Sequence, residues 1–211
     1  MIRFKVRERD SVQFRVDSVV ISGKDRIGEL LDGSITEIDS DVASVGDYAC
    51  RAKKSLVNVN LPNATKVGTY AFHTCTKMVS FSAPNLVTTG TYWLSESTSL
   101  SQIVLPKIKS LANASFSKCT SLKRADLRRA ISIGTSAFNG CTKLETLILR
   151  NDEEQCGLMG TNALTGTKIA SGTGYIYVPA ALVEAYKAAT NWATYAAQFR
   201  AIEDFPEIVG G

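Results

Sequence analysis

The chain has 211 residues, a hydrophobic content of 45%, a formal net charge of +4 and five cysteines. The apolar content is sufficient for a folded core, and the small positive charge falls short of the concentrated basic surface of a dedicated nucleic-acid-binding protein. No stretch approaches the roughly 18 apolar residues of a membrane span, and residues 1–16 lack the apolar run of a signal peptide. We therefore expect no membrane insertion, no nucleic-acid partner and no leader at this N-terminus.

The N-terminal segment, residues 1–34, is predicted to form a β cap. Apolar residues alternate with polar ones on either side of the polar sequence RERDS, at Ile2, Phe4 and Val6 and then at Val12, Phe14 and Val16. Alternation of this kind around a polar turn is typical of a β-hairpin. A cap is needed here because the first coil of a repeat array exposes its core edge.

A short phrase recurs through residues 35–178. Leu56, Met78, Leu100, Leu122 and Leu144 stand 22 residues apart and open the phrases LVNVNLP, MVSFSAP, LSQIVLP, LKRADLR and LETLILR. A degenerate first unit begins at about Ile35. A period between 20 and 29 residues carried by L-x-x-L-x-L is typical of a leucine-rich-repeat solenoid with one strand per unit. We predict an α/β repeat fold whose 22-residue coils place a parallel sheet on the concave face.

Alternation within each predicted strand divides its residues between core and solvent. The residues three and five positions after the opening residue are apolar and are predicted to point inward. The residues two and four positions after it are predicted to point outward as the ligand-binding surface, namely Asn58, Asn60, Ser80, Ser82, Gln102, Val104, Arg124, Asp126, Thr146 and Ile148. Solenoids bind through such concave surfaces. Because most of these side chains are polar, we expect a protein or surface glycan as the ligand.

The remainder of each unit also recurs. Pro62, Pro84 and Pro106 are predicted to end three of the strands. At a strand end, the missing N–H of proline removes no hydrogen bond from the interior of the sheet. The glycines Gly68, Gly90 and Gly134 are predicted to let the chain bend before a compact A-F-x-x-C segment. In that segment, Phe72, Phe116 and Phe138 are predicted to fill the core from the side opposite the strands.

Three of the five cysteines, Cys75, Cys119 and Cys141, occupy the same position of their units. Equivalent positions in adjacent coils stack at about the strand spacing of ~4.8 Å, so these thiols are predicted to form a buried column. A disulfide between Cys119 and Cys141 and a metal or catalytic role are the alternatives. Cys50 stands where other units have phenylalanine, and Cys156 lies in an insertion at residues 150–165 to which the sequence assigns no role.

The single histidine, His73, lies in a predicted turn two positions before Cys75. A cysteine nucleophile requires a thiolate and an imidazole that converge in a cleft, and a core thiol beside a turn residue does not meet that requirement. The cysteines lack the spacing of a zinc site, and no glycine-rich phosphate loop is present. We therefore expect a protein that is not an enzyme and that has no catalytic residues, no cofactor and no metal.

Basic residues are concentrated between residues 107 and 150. Six of them, Lys107, Lys109, Lys123, Arg128, Arg129 and Arg150, could form a positive stripe across adjacent coils. Such a stripe would suit acidic glycans, anionic envelope polymers or nucleic acid, whereas the alternative is a solvated edge. The aromatic residues that single-strand binders need for base stacking are not interleaved with it.

The C-terminal segment, residues 179–211, is predicted to be a helical cap within the same structural domain. Pro179 marks a helix start, and Leu182, Val183, Tyr186 and Ala189 follow at helical spacing. Four aromatic residues, Tyr186, Trp192, Tyr195 and Phe199, are predicted to cover the last coil as a lid. The sequence EIVGG after Pro206 is expected to be a frayed tail.

Taken together, the sequences LPNATKVGTYAFHTCTKM, RRAISIGTSAFNGCTKL and IYVPAALVEAYKAATNW resemble the BspA-like bacterial leucine-rich repeats and their C-terminal cap, over roughly residues 35–202. This resemblance implies an extracellular surface or adhesion module that binds host proteins or matrix without catalytic residues. The N-terminal sequence FKVRERDSVQFRVDSVVIS is also similar to the starts of small proteins encoded among phage tail genes. That second resemblance implies an alternative, a structural or receptor-binding protein of a phage tail.

Overall fold

Two columns of short strands run along a solenoid. The computed structural model of the chain describes residues 2–6, 35–150 and 156–209. The first column contains β1 (Ile2–Val6), β2 (Ile35–Ser40), β4 (Asn58–Asn60), β6 (Ser80–Ser82), β8 (Gln102–Val104), β10 (Arg124–Asp126), β12 (Thr146–Ile148), β14 (Tyr175–Val178) and β15 (Phe199–Ala201). The second contains β3 (Ser44–Val45), β5 (Lys66–Val67), β7 (Thr88–Thr89), β9 (Ser110–Leu111), β11 (Ser132–Ile133) and β13 (Leu158–Met159).

The repeat register predicted from the sequence is confirmed. In the first column, Ala125 pairs with Ile103 in one neighbouring coil and with Leu147 in the other. All three side chains are buried, as alternation along the strands requires. The outer, solvent side of the first column is called the concave face below.

The N-terminal strand closes the first column. β1 pairs antiparallel with β2, with Ile2 opposite Ser40 and Phe4 opposite Ile38. The proposed second strand of the N-terminal hairpin, at Val12–Val16, lies outside the described residues.

The first column is two sheets rather than one, because β6 and β8 do not pair. No backbone hydrogen bond joins residues 79–83 to residues 101–105, all of which the structure describes. At this junction Trp93 stands where adjacent coils have Ala71 and Ser115, and its ring packs against Phe81 at 5.1 Å and Phe116 at 5.4 Å. The additional ring volume is therefore buried at the junction where β6 and β8 do not pair, although Thr88 and Ser110 still pair the same two coils in the second column.

A third ladder of hydrogen bonds joins the turns of adjacent coils. Every second N–H of the turn donates to the next coil, as in Tyr70 to Thr91, Phe72 to Trp93 and Thr74 to Ser95. This arrangement needs left-handed residues at two positions per coil. One position holds Tyr48, Tyr70, Tyr92, Ala114, Ser136 and Asn162, with φ of 51° to 60°, and the other holds Ala52, Thr74, Glu96, Lys118, Gly140 and Gly166, with φ of 59° to 77°. Helices in the described residues are confined to the C-terminal cap.

The repeat glycines serve close packing between coils, not the bend for which they were predicted. Gly68, Gly90 and Gly134 do not have a positive φ. A Cβ on Gly90 would lie 2.2 Å from the backbone nitrogen of Thr69, and one on Gly68 would lie 2.5 Å from that of Asp47. Larger residues at these positions would therefore push adjacent coils apart.

The insertion before β13 is shorter than the sequence indicated. β13 pairs with β11, and Gly160 packs on Thr135 as the repeat glycines do on their neighbours. The interval from Gly134 to Gly160 is 26 residues instead of 22, so four residues are inserted. Residues 151–155 lie outside the described part of the chain, and Cys156 is half-buried against the core.

The cysteine column is buried, and its members cap carbonyl groups of the preceding coil. The thiols of Cys75, Cys119 and Cys141 donate to the carbonyl oxygens of Cys50, Leu94 and Phe116 at 3.0 to 3.2 Å. Ser97 makes the equivalent bond to Phe72 at 3.2 Å. All five cysteines are free thiols, so the structure does not contain the alternative disulfide.

Burial keeps these thiols protonated. It raises the pKa of Cys50 and of Cys119 to about 12, and it raises the pKa of Cys75 and Cys141 as well. In the unfolded chain the same thiols ionise at a lower pH. Because the unfolded state then holds fewer protons, these groups should make the protein progressively less stable above about pH 9.

We expect only Cys156 to react with iodoacetamide in the native protein at neutral pH. Thiol reactivity follows exposure and thiolate character, and the other four cysteines are buried. Mass spectrometry should find one modified cysteine in the native protein and five after denaturation, and reductant should leave the melting temperature unchanged. Native labelling of Cys75, Cys119 or Cys141 would contradict the buried column.

The C-terminal cap covers the end of both strand columns. It contains the short helices α1 (Val183–Ala188) and α2 (Pro206–Val209), three 3-10 turns, at Ala180–Leu182, Ala193–Gln198 and Ile202–Asp204, and the strand β15. At the edge of β13, Trp192 Nε1 donates to the Gly157 carbonyl at 2.7 Å and Asn191 Nδ2 donates to the Met159 carbonyl at 2.6 Å. The aromatic lid is present, with Tyr186 and Trp192 buried, but the expected frayed tail is ordered as α2 through Val209.

Candidate binding surface

The concave face is open to solvent over coils 35–121. There the predicted residues Asn60, Ser80, Ser82, Gln102 and Val104 are exposed, and Asn58 is half-buried. The backbone edges of β6 and β8 also lack a partner in the neighbouring strand. We call this region the open half.

Two acidic residues extend the open half toward the N-terminus, and the sequence reasoning missed both. Glu37 accepts a hydrogen bond from Asn58 at 3.3 Å, and Asp39 accepts one from Asn60 at 2.9 Å. They occupy positions two and four after Ile35. The pattern used for the later units would have identified them had it been applied to the degenerate first unit.

Over coils 122–178 the concave face is covered in part, and Tyr175 at its edge remains 37% exposed. Val104 is 39% exposed, whereas Asp126 and Ile148, at the equivalent positions of the next two coils, are 0% exposed. The prediction that these two side chains are exposed is therefore wrong. Arg124 and Thr146 are half-buried. We call this region the covered half.

The C-terminal segment accounts for this burial. Arg124 Nη1 donates to the Ile208 carbonyl oxygen at 2.6 Å, and the Phe205 ring lies edge-on to Tyr177 at 5.5 Å. These contacts flank the buried positions Asp126 and Ile148. Two of the ten predicted surface residues, Asp126 and Ile148, are thus buried by the chain itself.

The buried carboxylate of Asp126 lies between two arginines. Its oxygens are 3.5 Å from Arg124 Nη2 and 3.6 Å from Arg128 Nε. A buried charge is tolerated when it is paired, and this pair also orients the Arg124 guanidinium toward the C-terminal segment. Arg128, predicted as part of a basic stripe, is therefore partly neutralised.

The six residues of the predicted basic stripe do not form one continuous surface. Lys107, Lys109, Lys123 and Arg129 are exposed, whereas Arg128 and Arg150 are half-buried. Lys107 Nζ donates to Asn85 Oδ1 at 2.7 Å. Lys123 precedes β10, while the others follow the strands, so the positive charge is divided between the two ends of the sheet.

An aromatic column on another side of the solenoid was also missed. The rings of Tyr48, Tyr70 and Tyr92 stack with centroid separations of 5.3 and 5.0 Å. The guanidinium of Arg51 lies 5.7 and 5.5 Å from the first two rings, and His73 meets Tyr70 edge-on at 5.1 Å. Their spacing of 22 residues was visible in the sequence, but only the left-handed turn brings the rings outside the core.

The His73 imidazole and the Cys75 thiol do not form a reactive pair. His73 Nδ1 lies 2.6 Å from Thr74 Oγ1, and burial lowers the pKa of the imidazole. The Cys75 thiol is instead bonded to the Cys50 carbonyl in the core. Among the residues that the structure describes, no three His, Cys, Asp or Glu side chains come together as a metal site. Nor is any helix in that part of the chain long and apolar enough to cross a bilayer.

A cleft of about 460 Å³ separates the second strand column from the C-terminal cap. Cys156, Met159, Asn191 and Trp192 contribute to its lining. The side chains of Asn191 and Trp192 are already hydrogen-bonded to the β13 edge.

Comparison with known proteins gives one family and a set of similar folds. The family model described as "BspA type Leucine rich repeat region (6 copies)" matches residues 43–169. No curated protein matches the chain. The crystal structure of the T. pallidum leucine-rich repeat protein TpLRR is 24% identical, with a TM-score of 0.50, over 57% of this chain and 63% of that one.

Two further crystal structures are more distant. A leucine-rich repeat protein from Bacteroides ovatus is 18% identical, with a TM-score of 0.41, over 70% of this chain and 55% of that one. The pneumococcal vaccine antigen PcpA is 15% identical, with a TM-score of 0.43, over 78% of this chain and 39% of that one. This chain therefore spans less than two thirds of the length of each of the three structures.

Proposed function

The chain belongs to the BspA-type leucine-rich repeat family, a family typically of binding or adhesion modules, and we propose that it is a non-catalytic recognition or adhesion protein whose ligand binds the open half. The observation that carries this proposal is the row of exposed polar side chains on neighbouring coils. Asn60, Ser80, Ser82 and Gln102 offer side-chain donors and acceptors to a ligand, and the Asn60 amide also donates to Asp39.

The gap between β6 and β8 adds main-chain groups to the centre of this surface. These strand edges have no partner in each other, and we propose that their N–H and C=O groups contribute to ligand binding. Glu37 and Asp39 add negative charge at one end. This combination favours a hydrogen-bonding ligand, either a protein surface or a surface glycan, over an apolar helix.

We propose an extracellular location, on a cell surface or in secreted form, in keeping with the usual setting of the family. The alternative of a phage tail-associated structural or receptor-binding protein rests on the N-terminal sequence, most of which lies outside the described part of the chain. Neighbouring genes would separate the two, since capsid and tail genes would favour the virion and a sortase or secretion cassette would favour the cell surface.

The combined variant Asn60→Ala, Ser82→Ala and Gln102→Ala should weaken binding about ten-fold or more, because truncation of interface residues that carry binding costs more than ~1 kcal/mol each. Binding is measured on immobilised collagen and laminin and on a panel of bacterial polysaccharides. Exposed substitutions usually change stability by less than about 0.5 kcal/mol, so the variant should melt like the parent.

The matched control is Lys143→Ala, Thr161→Ala and Thr165→Ala, three exposed residues away from the concave face. This control should bind like the parent. Full binding by the open-half variant would refute the proposed surface, and loss of binding on replacing Tyr48, Tyr70 and Tyr92 by alanine would then assign recognition to the tyrosine column.

A further inference from the structure

The covered half of the concave face has an occupant, the segment Phe205–Val209. The aromatic ring of Phe205 packs edge-on against Tyr177. Three residues later, the Ile208 carbonyl accepts the 2.6 Å hydrogen bond from Arg124. The backbone between these two contacts is held in one turn, since Ile208 N donates to the Phe205 carbonyl at 3.0 Å.

These contacts are of the type that a peptide-binding groove makes. Any peptide has main-chain carbonyl groups that can accept a hydrogen bond from Arg124. Selectivity comes from the aromatic side chain at the position of Phe205. The Asp126 carboxylate, at 0% exposure, holds the Arg124 guanidinium from behind. Because a guanidinium fixed by a paired carboxylate loses little freedom on binding, the donor is preorganised.

The charges of segment and groove are complementary. The segment and the residues before it contain Glu203, Asp204 and Glu207, and all three are exposed. On the solenoid side, Arg124 and Arg128 lie on either side of Asp126, and the Arg200 guanidinium lies 4.3 Å from the ring of Tyr175, on the strand that also carries Tyr177.

We propose that the covered half is a peptide-binding site, that Phe205–Val209 occupies it in cis, and that its external ligands are acidic peptides with an aromatic residue in the place of Phe205. This inference deepens the proposed function and rests on recognition through the concave face. The segment competes with external peptides because a tethered ligand acts at an effective concentration in the millimolar range. The native chain therefore binds such peptides weakly, and release of the segment uncovers the site.

The first experiment uses the full chain with Phe205→Ala and Ile208→Ala, which removes the side-chain anchor and the aliphatic residue of the cis segment. The probe is a fluorescein-labelled peptide of sequence EDFPEIVGG, corresponding to residues 203–211, and the readout is fluorescence polarisation. We expect the double variant to bind this peptide about ten-fold or more tightly than the parent does, because the tethered competitor is weakened.

Two controls test the contacts themselves. A peptide with alanine in place of its phenylalanine and isoleucine should bind neither protein. Adding Arg124→Lys to the double variant keeps a positive charge beside Asp126 but removes the planar guanidinium, and most of the gain in affinity should be lost. A folded double variant that binds the probe no better than the parent would overturn the proposal.

A second measurement does not depend on the fold of any variant. In the parent chain, the amides of residues 207–209 should exchange faster with deuterium when the unlabelled peptide is added in large excess, because it displaces the segment. Unchanged exchange at these amides would also overturn the proposal. Neither the polarisation result nor the exchange result depends on the open half, which is tested by replacing Asn60, Ser82 and Gln102. Failure of this inference can therefore be distinguished from failure of the proposed function.

Discussion

Replacing Phe138 by alanine should lower the free energy of unfolding by about 3–5 kcal/mol, the usual loss for a buried aromatic residue. The side chain is 0% exposed, and its ring stacks on Phe116 with a centroid separation of 5.3 Å. Its N–H donates to the Ala163 carbonyl of the next coil at 2.8 Å. The cavity would therefore lie between two coils and weaken their contacts with both neighbours.

Thermal or urea unfolding measures this change. A chain of this size loses about 2–4 °C of melting temperature per kcal/mol, so a fall of roughly 6–20 °C is expected. Asn139→Ala, at the half-buried adjacent position, is the matched control and should change the melting temperature little. An unaltered melt for Phe138→Ala would show that this ring does not contribute to the core as the repeat register requires.

Replacing Trp192 by alanine should cost a similar amount, about 3–5 kcal/mol, because this residue covers the end of the solenoid. Its side chain is 1% exposed and its ring contacts Tyr186 and Phe199 at centroid distances of 5.2 and 5.9 Å. The substitution also removes the hydrogen bond from Nε1 to the Gly157 carbonyl, which would leave a buried acceptor without this partner.

The loss of stability caused by Trp192→Ala should first affect the coils next to the C-terminal cap. Coils of a solenoid contact only their neighbours, so hydrogen exchange should accelerate in residues 156–178 before it does in residues 56–121. Thr194→Ala, an exposed change in the same cap, is the control. Uniform loss of protection along the chain, or none at all, would contradict the assignment of Trp192 as a lid.

The repeat register was predictable because its signal is periodic. A 22-residue interval puts Val59, Phe81 and Ile103 in one stacked column, and all three are buried in the structure. The buried thiol column was predictable for the same reason. In a quasi-one-dimensional array most contacts join equivalent positions of neighbouring coils, so the period by itself specifies them.

Backbone conformation was less predictable, because it depends on distances between coils. The repeat glycines were assigned to bends, yet Gly68 and Gly90 are required for close approach to Asp47 and Thr69. The left-handed positions instead hold residues such as Tyr70 and Lys118, with φ of 54° and 60°. Such residues rarely adopt this conformation, and the ladder between coils is what holds them there.

The chain's own sequence determined the solenoid, its register, its buried columns and the identity of the side chains on the concave face, because each of these follows from a repeated local pattern. Only the tertiary structure decided which part of that face is open. Arg124 and Ile208 meet across 84 residues of sequence, and Trp93 packs between Phe81 and Phe116 at the junction where β6 and β8 do not pair. Neither feature belongs to the repeat, so no periodic signal in the sequence predicts it. Both depend on how nonequivalent segments pack against each other.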